Sequence, residues 1–209
     1  MDLEFIVKGI IFKILQKFLI LDFTVKEIDK LFEKAKNDAI SFSQRDPAAN
    51  GDASYVALTC SSYYAVISYR VASCLYKKGD VYRAQLIADS AKILTGIEIH
   101  PACQIGRNFV IDHGFGTVIG ETSIIGDDCY ILQCVVIGAN KIANNARGKR
   151  HPTIGNNVEI AGFVNILGNI SIGNYVKICS WATITESLPA YARVIRVSNG
   201  FKILKGLVN

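Results

Sequence analysis

The chain repeats isoleucine at a fixed step of six residues, and this spacing limits its fold more than any other feature. Thirteen isoleucines follow the step in three runs, at positions 99, 105 and 111, then 119, 125, 131 and 137, then 154, 160, 166, 172, 178 and 184. A step of six fits neither the 3.6-residue turn of an α-helix nor the two-residue alternation of a half-buried strand. It predicts a parallel β-helix of hexapeptide turns, in which each inward isoleucine stacks on those of the neighbouring coils.

The isoleucine register breaks twice, and each break carries one of the three histidines of the chain. The step from position 111 to 119 is eight residues and includes His113, whereas the step from 137 to 154 is seventeen and includes His151. A β-helix accommodates extra residues as outward loops, and functional side chains concentrate on loops held by a rigid scaffold. We therefore predict chemical roles for these two histidines, and a structural hydrogen-bonding role for His100 in the first coil.

The composition describes a folded protein and excludes several function classes. Half of the 209 residues are apolar and 20% are charged, which leaves no tract with the composition of a disordered segment. The net charge of +5 is mild, and the short basic cluster over residues 141–150 is most simply a solvated loop. A nucleic-acid surface would need a basic stripe with exposed aromatic side chains, so we expect no nucleic-acid partner.

The cysteines favour a reducing compartment. All six lack a CxxC pair and the spacing of a disulfide framework: Cys60, Cys74, Cys103, Cys129, Cys134 and Cys179. Small buried thiols in a cytoplasmic protein are the interpretation that this pattern favours. We expect neither a metal centre nor a cysteine nucleophile.

Residues 1–95 are predicted to form an α-helical domain. Residues 3–23 are strongly apolar, but Lys8, Lys13 and Lys17 interrupt them, so no charge-free run reaches the ~18 residues of a membrane span. No cleavage site of a signal peptide follows. We expect an amphipathic helix that packs in the domain or at an oligomer contact, with membrane association as the alternative.

Capping signals predict further helices in this domain. Thr24 and Glu27 have the spacing of a capping box before a helix over 25–42. A second helical segment covers 53–78 and stops at a glycine, and Asp80 is suited to cap a third helix.

The predicted fold class is α+β, with three parts along the chain. The helical domain over 1–95 is followed by a left-handed parallel β-helix of hexapeptide repeats over 96–185. An extruded loop at 138–153 interrupts the β-helix, and residues 186–209 form a C-terminal tail.

Short motifs in both parts carry the strongest functional signal. In the β-helix they are Ile97–Ala102, Ile111–Gly114, Gly120–Thr122, Ile131–Gln133, Arg150–Pro152 and Ile166–Ile170, and in the helical domain Arg45–Ala48 and Tyr69–Arg70. Over roughly residues 40–190 the chain resembles the serine O-acetyltransferases, a family of hexapeptide-repeat acyltransferases. The resemblance implies transfer of an acetyl group from acetyl-CoA to the hydroxyl of L-serine, giving O-acetylserine for cysteine biosynthesis.

The resemblance also implies the catalytic residues. It makes His113 the general base and Glu98 its carboxylate partner, at a position where the family usually has Asp. Acyl transfer to a hydroxyl needs a base near neutral pKa, because the proton must leave as the oxygen attacks the thioester. A carboxylate on the other ring nitrogen would fix the tautomer of that base.

The residues that hold the amino acid follow from the same resemblance. Asp46 and Asp112 are expected to bind the ammonium group, and Arg150 with His151 the carboxylate, for which arginine offers two parallel donors. In the family this site lies between subunits, which implies a homotrimer or a dimer of trimers. The family's complex with the sulfhydrylase of cysteine synthesis uses a C-terminal Ile, whereas this chain ends Leu207–Asn209, so we do not expect that complex.

The donor side departs from the family pattern. The resemblance places donor contacts at Ala139, Gly162 and Ser180, with acetyl-CoA as co-substrate and no cofactor. Phe163 and Trp181 stand where the family usually has glycine, and the family's Gly-Gly-Thr-Gly run after position 137 is absent. We therefore predict a narrowed and divergent acetyl-CoA groove.

These departures leave other functions open. One alternative is a related acyltransferase of specialised metabolism, with another acyl donor, such as a carrier-protein thioester, or another hydroxy-amino-acid acceptor. A second is a non-catalytic trimer that binds an amino acid or a partner. A γ-class carbonic anhydrase would need a closely spaced histidine pair on one turn. The three histidines are 13 and 38 residues apart, so we do not expect that function.

Overall fold

The computed structural model describes residues 2–145, 147–197 and 200–206. Its first part contains five α-helices and a short 3-10 helix, Pro47–Ala49. The α-helices are α1 (Leu3–Lys17), α2 (Val25–Arg45), α3 (Ala53–Thr59), α4 (Ser61–Lys77) and α5 (Val81–Thr95). Within the described residues, none of these helices is both long and apolar enough to cross a membrane.

Side-chain caps set the ends of these helices. The predicted capping box is confirmed, because Thr24 and Glu27 each bond the backbone N–H of the other. The Asp80 side chain accepts from Arg83 N at 3.1 Å to begin α5, and Gly96 caps its C-terminus in the left-handed region (φ 70°). The prediction of one helix over 53–78 is wrong, because the backbone leaves the helical region at Cys60 (ψ 110°) and separates α3 from α4.

The second part is a triangular β-solenoid of short strands, which pair in parallel except for the antiparallel β15. In chain order they are β1 (Glu98–Ile99), β2 (Gln104–Ile105), β3 (Val110–Ile111), β4 (Val118–Ile119), β5 (Ile124–Ile125), β6 (Tyr130–Ile131), β7 (Val136–Gly138), β8 (Thr153–Ile154), β9 (Glu159–Ile160), β10 (Asn165–Leu167), β11 (Ser171–Ile172), β12 (Lys177–Ile178), β13 (Thr183–Ile184), β14 (Arg193–Val197) and β15 (Gly200–Leu204). From β1 to β13 every third strand joins the same sheet, and β14 and β15 extend the third sheet. Sheet A orders β1-β4-β7-β10-β13, sheet B β2-β5-β8-β11, and sheet C β3-β6-β9-β12-β14-β15.

The isoleucines stack in the predicted register. Ile99 pairs with Ile119, Ile119 with Ile137, and Ile137 with Ile166, so each isoleucine meets its equivalent in the next coil. All thirteen are buried, and together they form one continuous apolar column. The helices have a separate buried core that contains Ile11, Phe32 and Leu75.

The apolar column continues beyond Ile184. Leu188 bridges to Ile172, and Val194 pairs with Ile178; both side chains are buried, so part of the predicted tail completes a further coil. The sequence pattern missed this coil because the step from Ile184 to Leu188 is four residues. An antiparallel β14–β15 hairpin follows, and the division at residues 95 and 185 stays a prediction.

A buried ion pair fixes the helices on the first coil. Arg70 on α4 bonds both oxygens of Asp38 on α2 (2.9 and 3.0 Å) and also donates to the carbonyls of Ile105 (2.7 Å) and Gly106 (2.6 Å). Asp38 in turn accepts from Phe109 N at 2.9 Å. Because each charge is paired and further hydrogen-bonded, burial is tolerated, and the C-terminal half of α2 is held against the coil that carries Asp112.

Candidate active site

The predicted site residues lie at two corners of the solenoid. The turn from β3 in sheet C to β4 in sheet A carries Asp112 and His113, and we call this the base corner. The turns from sheet A to sheet B, after β1, β4 and β7, carry His100, the segment Gly120–Thr122 and the loop with Arg150 and His151; we call this the cation corner. Sheet A separates the two corners.

At the base corner the imidazole of His113 is 72% exposed. The two residues added to the isoleucine step place His113 in an outward turn with left-handed backbone (φ 57°). Its Nε2 lies 3.8 Å from Asp112 Oδ2, whereas the carboxylate of Glu98 lies 2.5 Å from Lys92 Nζ. The described chain therefore brings Asp112 to the imidazole, and the pairing of His113 with Glu98 stays a prediction.

Tyr130 links the acidic residues of the base corner. Its Oη donates to Asp112 Oδ2 at 2.8 Å, and the Arg45 guanidinium covers its ring at 4.7 Å. Burial raises the pKa of the Tyr130 phenol, and the carboxylates of Asp112 and Asp46 raise it further. Both carboxylates therefore act electrostatically on the same phenol, and the shared role predicted for Asp46 and Asp112 stays a prediction. Asp46 itself caps the 3-10 helix by accepting from Ala48 N at 2.9 Å.

The sequence pattern missed Tyr130 as a site residue. Its only signal is its position directly before an inward isoleucine and one coil beyond Asp112, because Val110 pairs with Tyr130 across sheet C.

At the cation corner Arg150 is held by Glu121. The two side chains form an ion pair, which lowers the pKa of the Glu121 carboxyl. Lys149 ties the same loop to the coil, because its Nζ donates to the carbonyls of Thr122 (2.7 Å), His151 (2.5 Å) and Pro152 (3.0 Å). These bonds return the loop between β7 and β8 to the solenoid beside Thr122.

His151 is a buried, neutral member of this corner. It is only 7% exposed, and its Nδ1 accepts from Thr122 N at 3.1 Å. Burial lowers the pKa of His151, and the neighbouring Arg150 lowers it further. Positive charge at the predicted carboxylate site therefore comes from Arg150. His100 has the structural role predicted for it, since its Nδ1 accepts from Ala102 N at 3.1 Å.

These two histidines should make stability fall in mild acid. Burial lowers the pKa of both His100 and His151 in the folded state, so the unfolded chain binds more protons below its ordinary histidine pKa of ~6.5. Their contribution is fully present above that pH and is lost as the pH falls toward the lowered values. Thermal unfolding midpoints at pH 7.5, 6.5 and 5.5 measure this loss, and His100→Asn should reduce it. An equal pH dependence in that variant would contradict the assignment for His100.

The predicted donor residues lie at both corners. Ala139 follows sheet A at the cation corner, whereas Gly162 and Ser180 follow strands β9 and β12 of sheet C at the base corner. Ala139 comes directly after β7 and is half-buried, as is Ser180, whereas Gly162 is buried. A Cβ on Gly162 would lie 3.0 Å from Gln133 Nε2, so little space exists there for a side chain. The three residues lie on different coils, and within the described part of the chain their side chains do not contact one another.

Phe163 and Trp181, which directly follow Gly162 and Ser180, stack on each other. Their ring centroids lie 4.1 Å apart and the planes differ by 4°, with Trp181 58% exposed. Both have left-handed backbone (φ 63° and 70°), a conformation that favours glycine. The two aromatics therefore occupy positions at which the solenoid geometry itself suits glycine.

A groove of about 550 Å³ runs along the outer face of sheet C. It begins at Arg45 and Tyr130 beside the acidic residues and passes Lys177 and Arg193. Ala161 and Cys179, which directly precede Gly162 and Ser180, also line it: the groove connects the base corner with two of the predicted donor positions.

The hexapeptide solenoid with an inserted histidine corner defines a transferase of the hexapeptide-repeat class. The family described as bacterial transferase hexapeptide (six repeats) matches residues 151–186. A serine acetyltransferase of Staphylococcus xylosus is 41% identical over 168 residues, which are 80% of this chain and 76% of that protein. The chain therefore belongs to the serine acetyltransferase family, and it is an acyltransferase.

Solved structures confirm the predicted fold. A serine acetyltransferase from Vibrio cholerae O1 biovar El Tor N16961 matches with a TM-score of 0.81 and 30% identity, over 96% of this chain and 77% of that chain. A serine acetyltransferase in complex with CoA matches with a TM-score of 0.77 and 29% identity, over 94% and 74%. The architecture is N-terminal helices followed by a left-handed parallel β-helix.

Proposed function

We propose that the protein transfers the acetyl group of acetyl-CoA to the hydroxyl of L-serine, giving O-acetylserine for cysteine biosynthesis. The observation that carries this proposal is the division of amino-acid-binding chemistry between the two corners. Asp112 lies 3.8 Å from the exposed His113 at one corner, where Asp46 acts electrostatically on the same Tyr130 phenol, and Arg150 with the neutral His151 lies at the other.

In the proposed reaction His113 is the general base. Its imidazole removes the hydroxyl proton as the serine oxygen attacks the thioester carbonyl carbon. The tetrahedral intermediate then collapses, the C–S bond breaks, and the thiolate of CoA leaves with the proton returned by the imidazolium. Asp112, 3.8 Å from the ring, stabilises that imidazolium, and Glu98 is proposed as the second carboxylate partner once its contact with Lys92 is exchanged.

The remaining acceptor residues bind the two charged ends of serine. Asp46 and Asp112 hold the ammonium group, and Tyr130 keeps the Asp112 carboxylate in place. The carboxylate of serine is bound by the Arg150 guanidinium, which Glu121 orients, and by the Nε2–H of His151. An acceptor that lacks either charged group should therefore bind poorly.

We propose a homotrimer, in which the site lies between neighbouring copies. Within the described residues no contact joins His113 to Arg150 or His151, because sheet A lies between them. Helix α5 begins beside His100 and ends at Gly96 below the base corner, and it exposes Tyr82 (87%) and Ile93 (84%). A second copy on this side would cover these side chains and complete the site; a dimer of trimers is the larger assembly we propose.

The proposed activity is tested by a donor and acceptor panel. Release of free CoA thiol is followed with acetyl-CoA against L-serine, D-serine, L-threonine and L-homoserine. L-serine should give the highest kcat/KM. Absence of thiol release with L-serine, together with release from another acyl thioester, would favour a related acyltransferase instead.

Because of the stacked Phe163 and Trp181 side chains, we expect the protein to bind acetyl-CoA weakly. We assign the donor to the groove along sheet C, next to Gly162 and Ser180. Phe163→Gly with Trp181→Gly removes bulk of a kind that costs roughly 1–3 kcal/mol. The KM for acetyl-CoA should fall on the order of tenfold, while the KM for serine stays within about twofold.

A matched control exists for the donor variant. Tyr175 and Tyr191 form a second stack at 4.9 Å, also with left-handed backbone (φ 60° and 62°), but at the corner between sheets B and C. Replacing both with glycine should leave the KM for acetyl-CoA unchanged. Tight acetyl-CoA binding by the unmodified protein would contradict the proposed narrowing.

The cellular setting is proposed on chemical grounds. The six cysteines are free thiols, two of them buried and four half-buried, which suits a reducing cytoplasm. The prediction that this protein does not join a complex through its C-terminus concerns Leu207–Asn209, which lie outside the described residues.

A further inference from the structure

The turn that follows β4 makes an unusual number of bonds to the cation-corner loop. Thr122 N donates to His151 Nδ1 at 3.1 Å, and Thr122 Oγ1 lies 2.8 Å from the same nitrogen. Thr122 Oγ1 also accepts from the backbone N–H groups of Arg150 (3.0 Å) and His151 (3.1 Å). One half-buried threonine therefore contacts the ring of His151 and the backbone of both carboxylate-binding residues.

These bonds determine which ring nitrogen of His151 carries the proton. A backbone N–H can only donate, so Nδ1 must offer its lone pair to Thr122 N and cannot be protonated. The Thr122 hydroxyl already accepts from two N–H groups, and its own proton is therefore free to point at Nδ1. The neutral ring then holds its single proton on Nε2.

The surroundings of His151 support a neutral ring. Burial is the largest effect and lowers the pKa of His151. The positive charges of Arg150 and Lys149 and the nearby His100 lower this pKa further, whereas Glu121 raises it. Gly120 lies under the ring, where a Cβ would come within 2.2 Å of Nε2, so the close approach of imidazole to the turn requires glycine.

We propose that Thr122 is a positioning residue for the acceptor site, which fixes His151 as the tautomer whose Nε2–H donates to the acceptor carboxylate. This inference rests on the proposed function, in which Arg150 and His151 bind that carboxylate. Arg150 supplies the charge and His151 supplies a directed neutral hydrogen bond. The arrangement favours a planar carboxylate, which accepts from both donors at once.

A kinetic experiment compares three variants. Thr122→Val removes the hydroxyl and should raise the KM for L-serine about fivefold to thirtyfold, the range that corresponds to losing one or two hydrogen bonds. The kcat and the KM for acetyl-CoA should stay within about twofold. Thr122→Ser keeps the hydroxyl and should restore the KM for serine to within about threefold.

The matched control is Thr95→Val. Thr95 is buried and its hydroxyl also accepts a backbone N–H, from Ile97 at 3.2 Å, but it contacts no proposed site residue. Its variant should lose stability without a change in the KM for serine. Equal KM values for Thr122→Val and the unmodified enzyme would overturn the positioning role.

A spectroscopic measurement tests the tautomer on the unmodified protein and does not depend on a folded variant. The enzyme is labelled with ¹⁵N-histidine, and the His151 signals are identified by their loss in His151→Gln. At pH 7.5 Nδ1 should show the shift of an unprotonated ring nitrogen and Nε2 that of a protonated one. A protonated Nδ1 would refute the proposal even in an active enzyme, whereas an enzyme that does not acetylate serine but keeps this tautomer would refute only the proposed function.

Discussion

Replacing His113 with asparagine is expected to lower kcat for serine acetylation by on the order of 10² to 10⁴, the usual cost of losing a general base. The side chain is 72% exposed and packs no core, so the variant should keep its thermal midpoint and its assembly. Steady-state kinetics at saturating serine and acetyl-CoA measure the loss. Turnover near the unmodified rate would remove His113 from the mechanism.

A mixing experiment serves as the control for this prediction. Chains with His113→Asn and chains with Arg150→Ala plus His151→Ala each lack one half of the proposed shared site. Coexpression of the two should restore part of the activity, because some interfaces then combine an intact base corner with an intact cation corner. No restoration in a verified mixed trimer would show that one chain supplies both halves.

Replacing Ile166 with aspartate is expected to prevent folding. The side chain is fully buried between Ile137 and Ile184 of the neighbouring coils. An unpaired buried carboxylate costs several kcal/mol, whereas the whole stability of a typical domain is only about 5–15 kcal/mol. Soluble yield and circular dichroism on heating measure the effect.

The adjacent position provides the control for this second variant. Asn165 lies on the same strand, and its side chain points away from the column, so Asn165→Asp should fold with a nearly unchanged midpoint. If Ile166→Asp instead kept the parent's midpoint, the inward register of the β-helix would be incorrect.

The position of catalytic groups on this scaffold follows from its two insertions. A corner without an insertion projects no loop from the solenoid, because its residues either stack inward or form the turn. Two extra residues raise His113 out of the base corner, and the longer excursion brings Arg150 and His151 back onto the turn after β4. The regular coils keep these groups at two separate corners of one chain, which is why the proposed site needs a neighbouring copy.

The sequence by itself determined the coil register and the helix caps. Both depend on local spacing: one inward residue per six, and a side chain that reaches a backbone N–H three residues away. The insertions could also be located from the sequence, since an interrupted period marks a loop wherever the chain passes in space. The break at Cys60 was missed because it has no periodic signal, and the coil through Leu188 and Val194 because a four-residue step from Ile184 takes it out of register.

Only the tertiary structure decided which side chains meet at the site. Tyr130 contacts Asp112 across 18 residues and Thr122 contacts His151 across 29, so their separation depends on the intervening loops as well as on the repeat. Glu98 pairs with Lys92 because α5 packs over the first coil, and the spacing of residues within the β-helix does not predict this contact. Hydrogen bonds act over about 3 Å, and a periodic pattern fixes the coil on which a residue lies but not the atoms that its side chain reaches.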